Sequence, residues 1–161
     1  MRALGIAVDM SAQKRPTVRA VLLEDSLQVS ERPRLADVSV VTTFEVPSSS
    51  EDLATQLKEL AEAVSGRVRS LEPNIVVVRR ADKPPRATNQ DGPRFRLMAE
   101  GAVAAAARGL VAKTVVRSGQ ECGSAYGSRK AAVDSDGEQL ASGRLAPAAA
   151  AALSGLVADR A

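Results

Sequence analysis

The stretch Glu72-Pro73-Asn74-Ile75-Val76-Val77-Val78-Arg79-Arg80 decides the fold. Four consecutive β-branched residues follow a Pro-Asn turn signal with no polar interruption, which is the composition of a strand buried on both faces. Helical patterns lie on either side of it, so it reads as a strand sandwiched by helices in an α/β protein. It ends in two arginines. Strand ends are where sites sit in α/β sheets, so the role of Arg79 bears directly on function.

Upstream, Leu53, Leu57, Leu60, Val64, Val68 and Leu71 recur at spacings of three and four, a stripe that would cover one sheet face. Ser48-Ser49-Ser50-Glu51 before it fits a capping box. Three strands precede that helix: Ala3 to Val8, Val18 to Glu24, and Asp37 to Val46, joined through Lys14-Arg15-Pro16 and Asp25-Ser26. They form an antiparallel meander.

Downstream, Ala81 to Pro93 holds three prolines, Asn89, Asp91 and Gly92, and reads as an irregular loop. A helix is predicted from Arg94 to Arg108, closed by Gly109, then a short strand from Lys113 to Arg117. Ser118 to Gly127 reads as a glycine-rich loop, Ser128 to Leu140 as a weaker helix, and Leu145 to Asp159 as an alanine-rich final helix with Pro147 near its start. The order is β-β-β-α-β-α-β-α-α. It gives one mixed five-stranded sheet, a three-stranded meander followed by alternating α/β units, flanked by helices. A single domain over residues 1–161 is expected.

Composition narrows the chemistry. The chain has no His and one Cys, Cys122, which excludes an intrachain disulfide, Cys/His zinc sites and His-based triads. Phe44, Phe95 and Tyr126 are the aromatics, too few for a base-stacking platform. The formal net charge of +3 permits a nucleic-acid surface without demanding one. No apolar run approaches the roughly 20 residues of a membrane span, and the N-terminus enters a strand rather than a signal peptide. A cytoplasmic protein is expected.

Several stretches, in order along nearly the whole chain, resemble the RuvC family of Holliday-junction resolvases, of the ribonuclease H-like fold. Leu4-Gly5-Ile6-Ala7 resembles the family's Leu-Gly-Ile-Asp on the first strand. Glu72-Pro73-Asn74, four strand residues and Arg79 are similar to its Pro-Asp, strand and catalytic Glu. The helix around Arg96-Leu97-Met98-Ala99-Glu100-Gly101-Ala102-Val103, the strand Val115-Val116, the Ser128-Arg129-Lys130-Ala131-Ala132-Val133 helix start and the Pro147 to Val157 stretch resemble its later elements.

The resemblance implies a nuclease whose carboxylates hold two divalent metals, and the departures fall on those carboxylates. The first-strand Asp is here Ala7, the strand-end Glu is Arg79, and the final helix reads Ala146-Pro147-Ala148-Ala149-Ala150-Ala151-Ala152 where the family carries its remaining acids. Asp9 shares the facing of Ala7 but lies ~6.6 Å further along the strand. That exceeds the roughly 3.5–4 Å between paired metals. Asp82, Asp134 and Asp136 are the other candidate carboxylates, the last two expected in a solvated turn.

Two roles are open for Arg79: pairing with Asp9 across neighbouring strands, or binding a phosphate together with Arg80. Six basic residues, Arg79, Arg80, Lys83, Arg86, Arg94 and Arg96, cluster around the loop, and Arg129 and Lys130 add a second patch. They are candidate nucleic-acid contacts. The leading expectation is a catalytically degenerate RuvC-like protein that needs no cofactor and binds DNA, RNA or a protein. The alternatives are an active Mg²⁺-dependent nuclease rearranged around Asp9, and an assembly subunit without nucleic-acid contact. The resemblance also implies a homodimer.

Overall fold

Ile75–Arg79 forms the fourth strand (β4) of a five-stranded sheet in the computed structural model, which describes residues 1–11, 13–26, 33–82 and 90–158. The other strands are β1 (Arg2–Met10), β2 (Pro16–Asp25), β3 (Val38–Pro47) and β5 (Thr114–Arg117). The order across the sheet is β3-β2-β1-β4-β5, with β1–β2 and β2–β3 antiparallel and β1–β4 and β4–β5 parallel. This is the mixed sheet expected from the meander followed by α/β crossovers. The helices are α1 (Leu53–Leu71), α2 (Asp91–Arg108), α3 (Gly119–Ala125), α4 (Lys130–Leu140) and α5 (Ala146–Ala158). Among the described residues, no helix is long and apolar enough to cross a membrane.

Period-two alternation assigns each strand residue to one of two cores. Leu4, Ile6, Val18, Leu22, Val76 and Val78 pack on the stripe of α1 and on Ala99, Val103 and Ala107 of α2. Ala3, Ala7, Val21, Ile75 and Val77 face α5, with Cys122, Tyr126 and Val133 of α3 and α4 behind. The second core is built from small residues. Ala148 to Ala152 are fully buried, and a Cβ on Gly5 would lie 2.5 Å from the backbone nitrogen of Ala152. Backbone therefore lies almost on backbone, which only Gly at this strand position permits. A Cβ on Gly137 would likewise come within 2.8 Å of the Ala150 nitrogen, so α4 also closes tightly on α5.

Several local expectations are corrected. Asp52, not the serine run, caps α1, accepting from the Thr55 amide at 2.8 Å. A capping box does exist, but at Ser118 and Glu121, and it starts α3 inside the stretch expected to be a glycine loop. α2 begins at Asp91 rather than Arg94, and Gly109 follows it with φ −64°, outside the left-handed region. Glu72 is the residue that turns left-handed, φ 48°, after α1. Asp134 and Asp136 lie within α4, not in a solvated turn.

Candidate functional site

Strand register sets out the site as a row across the sheet. Glu45, Arg19, Ala7, Arg79 and Arg117 are consecutive partners on β3, β2, β1, β4 and β5. Directly opposed residues share a face, so three arginines flank one alanine on the α5 side. The ion pairs of this row divide it into two halves.

On the β4 side the half is closed. Arg79 is 7% exposed, and its guanidinium donates to both carboxylate oxygens of Asp134, at 2.5 and 3.3 Å. The fork-to-carboxylate geometry is the strong form of this pair. Burial works against the Arg79 charge, but the Asp134 hydrogen bond and charge outweigh it and raise the guanidinium above its ordinary value. The expected Arg79–Asp9 pairing is thus replaced by Arg79–Asp134, because α4 continues through Asp134 and brings it over the end of β4.

Lys130, one turn before Asp134, sits 3.8 Å from it and 2.8 Å from Asp82. The Lys130 hydrogen bond is the largest influence on Asp82; with the Gly119 amide, which donates at 3.0 Å, it outweighs burial and holds this carboxyl below its ordinary range. Gly119 leaves room for this cluster, since a Cβ there would lie 2.6 Å from Arg79 Nη2. Arg117 is fixed separately, donating to the Ser154 carbonyl and hydroxyl at 2.9 and 3.0 Å. Burial lowers its guanidinium.

On the β2 side the half is open. Arg19 pairs with Glu45, and its Nε lies 3.5 Å from Asp9 Oδ2. Asp9 also meets Arg144 at 3.7 Å. Ala7, Asp9, Arg19, Arg96, Arg144 and Pro147 line a pocket of ≈ 250 Å³ at the end of β1. Arg96 reaches it from α2, held by Glu100, whose Oε1 accepts from Arg96 Nε at 3.0 Å and from the Ala81 amide at 2.8 Å. Burial raises the Glu100 carboxyl above its ordinary value.

The expected site residues are distributed accordingly. Asp82 and Asp134 come together, bridged by Lys130, while Asp9 lies in the open pocket with other partners. Asp136 accepts from the Tyr126 hydroxyl at 2.8 Å. Among the described residues, no three carboxylate or thiol side chains come together as metal ligands. The donor set flanking Ala7 does not fit the metal pair that the resemblance implies, since guanidiniums stand on both sides of a methyl group.

Arg80 is exposed and pairs with Glu121 at 3.2 Å; Arg94 and Arg129 are exposed at the starts of α2 and α4. Lys83 and Arg86 lie outside the described residues. Sequence reasoning missed Arg19 and Arg144. The signal for Arg19 was available, a charge within the apolar run Val18 to Leu23, at a position paired with Ala7. Cys122 is buried and burial raises its thiol, which keeps it protonated and unreactive.

No protein-family model matches the chain, and no curated protein matches it. Among solved structures it is similar to Thermus thermophilus RuvC, at 15% identity and TM-score 0.71, over 99% of this chain and 96% of that one. It is also similar to T. thermophilus RuvC in complex with its Holliday junction substrate, at 16% identity and TM-score 0.67, over 99% and 95%. Strand order, register and this full-length superposition agree: the chain has the RuvC-like, ribonuclease H-like fold.

Proposed function

We propose that this chain is a catalytically degenerate RuvC-like protein that binds a nucleic acid rather than cutting it. The observation that carries this reading is the row Arg19-Ala7-Arg79, in which cations flank the position where the resemblance implies a metal-holding carboxylate. Such a row offers a dication guanidiniums in place of carboxylates. In this reading Arg79 is structural, a fixed charge that docks α4 on the sheet. Contact with DNA or RNA falls to the exposed cations Arg80, Arg94 and Arg129 and to the Lys130 edge, and Lys83 and Arg86 remain candidates from the sequence alone. No cofactor is assigned, and the cytoplasm is the assigned compartment. Support for a nucleic-acid partner comes from the neighbouring fold, seen with junction DNA in T. thermophilus RuvC.

The test uses a labelled four-way junction and a single strand of the same sequence. Binding that weakens steeply with salt, with no cleavage in Mg²⁺ or Mn²⁺, is the expected result. Metal-dependent cleavage abolished by Asp9→Asn would overturn it in favour of a rearranged nuclease.

A second reading, self-association, is favoured by one observation: Leu97 and Met98 of α2 are 66% and 49% exposed. Apolar side chains grouped on a helix suit an interface with a second copy. Sedimentation of wild type and Leu97→Glu tests it. A dimer that dissociates on substitution supports the reading, and a wild-type monomer at high concentration overturns it.

A further inference from the structure

The geometry points to a small-molecule site apart from the arginine row: a slot between the β1–β2 turn and the starts of α1 and α2 that takes the base of an uncharged nucleoside. It does not depend on polymer binding. Lys14 and Arg15 of the turn, Glu51, Leu53 and Gln56 around the start of α1, and Phe95 near the start of α2 line a cavity of ≈ 410 Å³. That volume lies within the roughly 300–1,000 Å³ of small-molecule sites.

The wall supplies a stacking face. Phe44 and Tyr126 are buried in the cores, whereas Phe95 is only partly buried and, with Leu53, leaves apolar surface open to the slot. One ring is too little for a platform along a strand, but it suffices to stack a single flat heterocycle. The polar side of the slot supplies an acceptor. Gln56 is 5% exposed, and its amide nitrogen donates to the Ser50 carbonyl at 2.6 Å. This bond fixes which way the amide points and leaves its oxygen with no partner among the described residues. An acceptor left over on a nearly buried side chain is matched by an N–H donor, such as the exocyclic amine of a base.

The rim sets the charge of the ligand. Arg15 pairs with Glu51 at 3.2 Å, and Lys14 meets Asp91 at 3.9 Å. Both cations at the mouth are thus matched by carboxylates, which favours an uncharged ligand over a phosphorylated one. Arg15 and Glu51 present a donor and an acceptor there that suit ribose hydroxyls. The turn is also set in advance. Lys14 stands at φ 58°, and Ser11 accepts from the Lys14 amide through its carbonyl at 2.9 Å and from the Arg15 amide through its hydroxyl at 3.1 Å. A wall held in this way need not be ordered by the ligand.

The test titrates isotope-labelled protein by NMR with four probes: adenosine, purine riboside (which lacks the exocyclic amine), adenosine 5′-monophosphate and 4-methylphenol. Adenosine should shift the amides of Lys14, Gln56 and Phe95 saturably, and purine riboside should bind roughly tenfold more weakly. The monophosphate should bind no tighter than adenosine. Phe95→Leu should weaken both nucleosides by roughly tenfold while keeping the preference between them. Gln56→Met should abolish the preference. Arg69→Ala, in the last turn of α1, should match wild type.

No saturable shift with adenosine would overturn the site and leave the nucleic-acid reading untouched. Equal affinity for adenosine and purine riboside would overturn the role of Gln56 and the choice of a base with it. Tighter binding of the monophosphate would overturn the uncharged class. Binding of 4-methylphenol as tight as that of adenosine would overturn the nucleoside in favour of an aromatic side chain from a protein. Circular dichroism checks that each variant is folded, and Phe95→Leu, which keeps an apolar side chain at a partly buried position, keeps the test decisive should Gln56→Met misfold.

Discussion

The two halves of the arginine row meet at Ala7 and solve the same electrostatic problem in opposite ways. On the β4 side Arg79 is sealed under α4 against a bidentate carboxylate, with Lys130, Asp82 and the Gly119 amide completing a mutually satisfied cluster. On the β2 side Arg19 is just as buried but imperfectly partnered, and its neighbour Arg144 stands in solvent. The difference teaches that equally buried cations in one row can differ in how far their donors are matched internally.

The largest expected effect lies in the closed half. Asp134→Ala leaves Arg79 buried without its partner and should destabilise the fold by about 3 kcal/mol, the low end for breaking a buried pair, because Asp134 is itself partly exposed. Replacing both, as Arg79→Met with Asp134→Leu, should return stability to within about 1 kcal/mol of wild type. Urea unfolding decides the matter. A single-variant loss no greater than that of a surface pair would mean the closed half is not sealed.

A smaller effect reads the same half through pH. Asp82 titrates below its ordinary value of 3.8 in the folded protein, first through Lys130. Its contribution is therefore complete above that value and is lost as the pH falls through the lower, folded one. Wild type should lose stability relative to Lys130→Ala between about pH 5 and pH 2, measured as the urea midpoint at each pH. Parallel curves would remove Lys130 from the account. The smallest effect belongs to exposed pairs. Arg80→Ala, which breaks the contact with Glu121, and Arg144→Ala should each change stability by less than about 0.5 kcal/mol. A larger loss for Arg144→Ala would show the open half to be structural after all.

The β4 strand was legible because Ile75 to Val78 offers no polar face and suits no solvent-exposed element. The meander and α1 were legible for the same reason, through periodicity. The partner of Arg79 was not. It lies fifty-five residues away on α4, and nothing local distinguishes Asp134 from Asp136, which turns instead to Tyr126. α3 was hidden by its own glycines. Gly119 and Gly123 look like chain breakers, yet they are small to let neighbours approach: a Cβ on Gly123 would lie 2.5 Å from the Lys130 nitrogen. Arg144 was invisible because its meaning depends on where Gly143 and α5 set it in space, not on any motif around it.

The close seating of α5 on Gly5 limits which side chains this helix can carry. At Ala148 and Ala152 the helix backbone rests against β1, and every residue from 148 to 152 is shut away from water. An aspartate introduced at one of these positions would be entombed in an apolar layer, or would prise the helix off its strand. The alanine helix thus has no room for an acid at these positions without loss of its seat on the strand.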